Sequence, residues 1–326
     1  MMPNQGAFDD LLAAQHDLEA AMLEQLWGQW RLIGAGAATR TAAAFTPAMV
    51  DPEALVLASL LYVTREPRLG DLIADWVTQN VDLLSVQRIR NLWPAYPGAL
   101  HELLGGRLAW LAEIATKDGG DPRWRPLRLP ASARDPIPLR SGGTRAVRAP
   151  VATPPCLMLA LRLGLGVSAK ADIVAFLLGR RAPHPVREIA QGVGYTISAV
   201  RRGVEELAEA GWVEQRPGQP AQYRAHWSRW QGVLGVSEAE RPRWASWHQR
   251  FVLVAALGGF CEHLARAIEG SPPAPSAVGT ELRVLLEGHR AVLGELEVAS
   301  WGAHQPVRDW VAMGAEVMRG MGRGMG

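Results

Sequence analysis

The chain has few cysteines, no long apolar run and none of the short motifs that mark common catalytic sites. Two cysteines, Cys156 and Cys261, occur in 326 residues, too few for a disulfide framework or a cysteine-based zinc site. No apolar segment reaches the roughly 18 residues that suggest a membrane-spanning helix, and the first residues lack the basic and apolar regions of a signal peptide. We therefore predict a reduced, cytoplasmic protein without a membrane segment.

Catalytic signatures are missing as well. The sequence contains no HExxH, GxSxG or Walker phosphate-binding motif, and its 8 histidines are scattered. Cys261, Glu262 and His263 are adjacent, but neighbouring residues of a helix point in different directions and do not share a metal ion. We predict no catalytic residues, no metal site and no cofactor. An enzyme whose active site leaves no local motif is kept as a third alternative.

Charge, in contrast, is distributed unevenly along the chain. The net charge is +2, yet residues 1–116 contain 7 Lys and Arg against 13 Asp and Glu, a net charge of −6. Residues 117–156 carry 8 basic and 3 acidic residues, and residues 157–230 carry 10 and 6. A basic excess in the middle of the chain attracts phosphate groups, although Arg-rich loops also serve simply to keep a surface soluble.

Helical periodicity and its interruptions divide the chain into four segments. Residues 1–116 are predicted to form an acidic helical domain, and residues 117–156, rich in Pro and Arg and without periodicity, a linker or basic arm. Residues 157–230 are predicted as a winged-helix domain, and residues 231–326 as a C-terminal helical domain for oligomerisation or ligand sensing. The helices predicted outside the winged domain cover residues 8–32, 51–61, 68–79, 85–92, 99–114, 241–268, 280–296 and 306–318.

One part of the acidic domain weakly repeats the central segment. Residues 79–88 align with residues 191–201 if one gap is allowed, which places Arg88 opposite Arg201. No clear wing follows this segment. It is therefore either a degenerate second helix-turn-helix or a generic helical hairpin, since local patterns alone do not decide between them.

The most informative stretch is residues 168–225, in which helix start and stop signals follow one another closely. Ser168 is predicted to cap a first helix, and residues 186–193 form a second. Gly194 lies in the turn that follows, where a positive φ is often needed. Thr196 then caps a third helix, which ends at Gly211.

A hairpin is predicted directly after the third helix. Residues 212–216 and 221–225 have the pattern of two short strands, and the turn between them contains two prolines and a glycine. One helix position is unusual, because Gly203 lies where an apolar residue is typical. A glycine in a helix costs about 1 kcal/mol relative to alanine, so it either permits close packing or weakens the helix.

Residues 168–225 resemble the winged-helix domains of the MarR and ArsR-type bacterial transcriptional regulators. The residues that carry the resemblance are Ile189-Ala190, Val193-Gly194, Ser198, Val200, Leu207, Gly211-Trp212-Val213 and Tyr223. The resemblance implies three helices and a β-hairpin wing. The predicted fold class is therefore mainly α, with a winged helix-turn-helix between N-terminal and C-terminal helical domains.

The resemblance also implies a function, a transcriptional regulator that binds double-stranded DNA. The exposed face of the third helix would enter the major groove and the wing would lie against the backbone or minor groove. The implied contact residues are Thr196, Ser198, Ala199, Arg201 and Arg202 on the helix and Arg216, Gln219, Gln222 and Arg224 on the wing. A homodimer is expected because winged regulators commonly bind two half-sites.

A second hypothesis comes from the acidic N-terminal segment. An antitoxin-like or regulatory subunit would use this segment to bind a basic partner protein, with or without DNA. The two hypotheses are compatible, since one chain can do both. Co-purification of a stoichiometric partner favours the second, and a homodimer alone counts against it.

Overall fold

The computed structural model describes residues 5–35, 48–130, 135–139, 146–270, 275–295 and 307–320. Over these residues the chain is mainly helical, with a small three-stranded sheet. Contacts divide the chain into two compact units, one made of Met1–Gly28 and His248–Gly326 and the other of Gln29–Trp247. The four-segment division proposed from the sequence stays a prediction.

The α-helices make up most of the described residues in both units. In chain order they are α1 (Gln5–Leu32), α2 (Pro52–Leu60), α3 (Pro67–Asn80), α4 (Val86–Leu92), α5 (Gly98–Thr116), α6 (Leu157–Leu165), α7 (Ala169–Gly179), α8 (Val186–Val193), α9 (Ile197–Glu209), α10 (Trp227–Leu234), α11 (Trp247–Gly270), α12 (Pro275–Gly288), α13 (Arg290–Glu295) and α14 (Val307–Gly320). The strands are β1 (His184–Pro185), β2 (Glu214–Arg216) and β3 (Gln222–Arg224). The mainly helical prediction with a central winged module is confirmed.

The middle helices of the larger unit surround α2. Asp51 caps this helix, since its Oδ1 accepts a hydrogen bond from the amide of Ala54 at 3.1 Å, and Pro52 occupies the first turn. Every residue of α2 is buried. A helix that is apolar all round must be enclosed by others, and α3, α4 and α5 pack against it.

The Pro- and Arg-rich segment lies along these helices in the part that the structure describes. Trp124 is fully buried and Leu127 nearly so. Arg123 forms an ion pair with Asp121 and donates to the carbonyl of Val81. These contacts anchor residues 121–127 to the neighbouring chain.

A second arginine of this segment is neutralised in the same way. Arg148 forms an ion pair with Asp82 and donates to the carbonyl of Gln79 at 2.8 Å. The hydrogen bond with Arg148 lowers the pKa of the Asp82 carboxyl, against the opposing effect of burial. A guanidinium group held by a carboxylate is less available to phosphate than a free one.

The segment that echoes the central module has a different environment from its counterpart. Residues 79–88 run from the end of α3 through a short 3₁₀ turn, Val81–Leu83, into α4. Arg88, which aligns with Arg201, is completely buried. Helix α5 follows where a wing would be, so this segment presents no exposed arginine at that position.

The start of the long C-terminal helix differs from the prediction. Helix α11 begins at Trp247 and not at residue 241. The chain before it is extended and ties onto the end of α7, where Arg241 donates to the carbonyl of Leu178 at 2.7 Å and the amide of Trp244 donates to Gly179. The predicted helix 280–296 is likewise divided, between α12 and α13.

Candidate nucleic-acid interface

The core of the winged module is formed by α7, α8 and α9. Helix α8 is strongly amphipathic, with Ile189, Ala190 and Val193 buried and Arg187 and Glu188 exposed. The buried face packs against α7 and α9, which leaves the polar face to solvent. A short helix of this kind is stabilised mainly by tertiary packing of its apolar face.

The turn between α8 and α9 is made by Gly194. Its φ of 71° lies in the left-handed region, and its amide donates to the carbonyl of Ala190 at 3.0 Å. Glycine is suited to this conformation because it has no Cβ. The turn glycine predicted from the sequence therefore has the expected geometry.

Local capping determines where α9 begins and ends. The hydroxyl of Thr196 accepts from the amide of Ala199 at 3.3 Å, and Gly211 ends the helix with a φ of +74°. The predicted cap of α7 is only partly correct. Ser168 occupies the cap position, but its hydroxyl donates to the carbonyl of Gly166 instead of accepting a helix amide.

Gly203 is explained by the packing of α9 on α7. A Cβ built at this position would lie 2.7 Å from Cδ1 of Ile173, which is fully buried. The two helices therefore approach each other more closely than a side chain at position 203 allows. The glycine permits close packing, the first of the two explanations considered from the sequence.

Replacing Gly203 with alanine is expected to destabilise the protein by about 1 kcal/mol. Overpacking typically costs about 1 to 3 kcal/mol, and the gain in helix propensity offsets about 1 kcal/mol of it. Adding Ile173→Val, which removes Cδ1, should show favourable coupling in a double-mutant cycle followed by urea unfolding.

Gly232 provides the matched control for this prediction. It lies in α10, and a Cβ there would have no neighbour within 4 Å. Gly232→Ala should therefore stabilise the protein by up to about 1 kcal/mol. Equal effects of the two alanine variants would contradict the close contact between α7 and α9.

The outward face of α9 is exposed and basic in its first half. Ser198, Arg201 and Arg202 are exposed, Ala199 is half-buried, and Thr196 is exposed at the start of the helix. Within the part of the chain that the structure describes, neither arginine side chain forms an ion pair or hydrogen bond. The predicted helix residues are therefore together on one accessible face.

The wing is an antiparallel hairpin of β2 and β3. Gln215 is opposite Tyr223 in the register, and β1, which was not among the predicted strands, adds to the other edge of β3. Tyr223 is buried beneath the hairpin. The strands are shorter than predicted, because residues 212–213 close the end of α9 instead, with their amides donating to Leu207.

The predicted wing residues differ in their surroundings. Gln219 and Gln222 are exposed, and Arg224 is half-buried without an ion pair among the described residues. Arg216 donates to Glu214 at 3.2 Å. The hydrogen bond with His226 lowers the pKa of Glu214, and Arg216 lowers it further against the opposing effect of desolvation. The charge of Arg216 is thus partly neutralised by Glu214, whereas the charge of Arg224 is not neutralised in this way.

Two further exposed arginines of the winged module were not among the predicted contact residues. Arg181 lies in the link before β1, and Arg187 lies in the first turn of α8. Both are exposed, and neither has an ion pair within the described ranges. The available signal for Arg187 was an arginine in the first turn of a helix that starts after Pro185, since helix N-termini attract phosphate.

The described residues show no arrangement suited to metal or thiol chemistry. They contain no cluster of His, Cys, Asp and Glu that could hold a metal ion. Burial raises the pKa of Cys156 to about 11 against an opposing hydrogen bond with Thr153. Burial, with the charge of Glu262, raises the pKa of Cys261 to about 12. Thiols with such pKa values are protonated near neutral pH and are weak nucleophiles.

The helices α7 to α9, the turn at Gly194 and the hairpin define a winged helix-turn-helix domain. Residues 171–217 match the family model of the IclR helix-turn-helix domain. The match supports a DNA-binding transcriptional regulator, although not the MarR or ArsR families specifically. Comparisons with curated proteins and with solved structures found no match. Among the described residues, no helix has the length and apolar character needed to cross a membrane.

Proposed function

We propose that this protein regulates transcription by placing α9 in the major groove of duplex DNA and its wing against the neighbouring backbone. The observation that carries the proposal is the exposed first half of α9. Ser198, Arg201 and Arg202 are presented there without an acidic neighbour on that half of the helix. Such side chains are the ones that bind phosphates and the acceptor atoms of guanine.

Individual roles follow from side-chain chemistry. Arg201 and Arg202 suit guanine edges or phosphates, and the hydroxyls of Thr196 and Ser198 suit phosphates or bases. Ala199 has a methyl group of the size that contacts the methyl of thymine. The hydroxyl of Thr196 already caps α9, so its role at DNA is the more limited one.

Wing and flanking residues extend the proposed contact surface. Arg224 and Arg216 suit the backbone, and Gln219 and Gln222 suit the minor groove. Arg187 joins them as a phosphate contact, because the N-terminus of α8 adds the favourable end of the helix dipole.

The wider assignment is proposed on the same basis. A homodimer would place two copies of α9 on two half-sites. We also propose that the protein acts in the cytoplasm, where its DNA partner lies. A regulatory role without catalysis is consistent with two cysteine thiols that are protonated near neutral pH. The finer likeness to MarR and ArsR-type regulators is kept as a proposal about the winged module. The comparisons give no support to the antitoxin-like alternative.

Selection of a duplex from a random library with the full-length protein tests the proposal and identifies a site. Changing both Arg201 and Arg202 to alanine should then weaken binding to that site about tenfold to a hundredfold, as expected for lost base or phosphate contacts. If both arginines bind phosphates, the slope of log K against log salt should fall by about 1.8. If they bind bases, discrimination between sites should fall instead.

A variant with the same change in net charge provides the control. Arg283 and Arg290 are exposed residues of α12 and α13, and their double alanine variant should bind the selected duplex like the wild type. No salt-dependent binding by the wild type would contradict the proposed function. Unchanged binding by the variant at Arg201 and Arg202 would contradict the assignment of α9.

A further inference from the structure

The turn that precedes α9 is held by side chains from outside the matched domain. Arg88 donates from Nε to the carbonyl of Val193 at 2.6 Å, and Asn91 donates to the carbonyl of Gly194 at 3.0 Å. Residues 193–194 end α8, where helix carbonyls lack partners within the helix. Helix α4 thus supplies donors to two successive carbonyls.

A third contact continues the series along the chain. The hydroxyls of Ser85 and Tyr195 lie 2.9 Å apart, and Tyr195 also donates to Asp172 at 3.0 Å. A Cβ built at Gly194 would lie 2.5 Å from Leu92. The region of α4 therefore contacts three consecutive residues, and the next residue is the cap of α9.

Helix α4 is itself firmly held. Arg88 is completely buried and pairs with Asp51 at 2.5 Å and with Glu53 at 2.7 Å. Arg162 joins the same Glu53 to Asp172 of α7. Helix α9 packs against α7. Helix α4, which contacts the turn, and helix α7, which supports α9, are therefore joined by one buried network of charges.

The orientation of the Asn91 amide is also determined. Its oxygen accepts from Gln87 at 2.9 Å, which directs its nitrogen to the carbonyl of Gly194. Asn91 is half-buried, whereas Arg88 and Ser85 are buried and have additional roles in the network and in capping α4. Asn91 is therefore the residue whose replacement tests the contact with least disturbance.

We infer that α4 is a positioning element of the DNA site, with Asn91 a positioning residue that holds residues 193–195 and so sets the start of α9. The inference rests on the proposed function. A displacement of the turn would shift Ser198 and the arginines of α9 relative to the groove, and base contacts are sensitive to such shifts. Non-specific attraction to phosphate depends on charge and would be unaffected.

Asn91→Ala and Asn91→Leu in the full-length protein test the inference. Both remove the donor to Gly194, and the leucine variant keeps the volume. Each should weaken binding to the selected duplex about threefold to tenfold, with unchanged binding to an unrelated duplex and an unchanged salt slope. Gln79→Ala, which truncates an exposed amide of α3, should bind like the wild type.

A stoichiometric titration of active molecules separates positioning from a merely structural role. The inference requires a higher Kd at an unchanged active fraction. Wild-type affinity in both Asn91 variants, or a lower active fraction at an unchanged Kd, would overturn the inference and leave the proposed function intact. Absence of DNA binding by the wild type would overturn both.

Discussion

Replacing Arg162 with methionine is expected to lower the free energy of unfolding by about 3 to 5 kcal/mol. The arginine side chain is completely buried and binds Glu53 at 2.6 and 2.9 Å and Asp172 at 2.7 and 2.8 Å. Burial opposes its charge, but the attraction of Asp172 and Glu53 outweighs burial and raises its pKa. Methionine fills a similar volume but leaves the buried Asp172 without its ion pair, while Glu53 retains only Arg88.

Urea unfolding of the full-length protein measures this effect. Adding Asp172→Asn to Arg162→Met removes the uncompensated charge of Asp172 and should restore part of the loss. The control is Arg68→Met, which breaks the exposed pair with Glu66 and should leave the unfolding midpoint unchanged. A change as small as that of the control would show that the network contributes no more than a surface pair.

Replacing Gly194 with alanine is expected to destabilise the protein by about 2 to 5 kcal/mol. A left-handed backbone costs an ordinary residue about 1 to 2 kcal/mol, and overpacking a buried neighbour adds about 1 to 3. Both apply here, since φ is +71° and the new Cβ would lie 2.5 Å from the buried Leu92. Thermal and urea unfolding of the wild type and the variant measure the difference in the free energy of unfolding.

Gly211 separates the two contributions. It has a similar φ of +74°, but a Cβ there would have no neighbour within 4 Å. Gly211→Ala should cost only the backbone part, about 1 to 2 kcal/mol. If the two variants lose the same stability, Leu92 does not crowd the turn, and the packing of α4 on it is looser than described.

Local sequence signals predicted the winged module well because its boundaries depend on neighbouring residues. Gly194 and Thr196 determine the turn and cap through contacts within a few positions. The apolar spacing of Val200, Val204 and Leu207 determines which face of α9 is buried. Signals of this range can be recognised without knowing any other part of the fold.

Long-range contacts were beyond these signals. Asp51 caps α2 through a contact three residues away, yet it also binds Arg88, 37 residues away. Glu53 binds Arg162 across 109 residues. Buried ion pairs leave no periodic pattern, because each partner resembles an ordinary surface residue in its own segment.

The edge strand and the helix after the wing were missed for a related reason. His184–Pro185 is too short to have a strand pattern, and it is a strand because Tyr223 and Gln222 lie beside it. Trp227 and Trp230 of α10 are buried in the same core as α7 and α9. The segment of α10 follows the wing after two residues, so no linker in the sequence marks it as a separate helix.

The sequence by itself determined the class of the central module and the exposed residues on α9. For Gly203 it left two explanations, close packing of α9 on a neighbour or a weaker helix. Only the tertiary structure decided between these two at Gly203, because Ile173 belongs to another helix. It also decided that Arg88 is buried and holds the turn, whereas the aligned Arg201 is exposed. Helix propensity and capping act over a few residues, while burial and charge pairing depend on which distant segments meet.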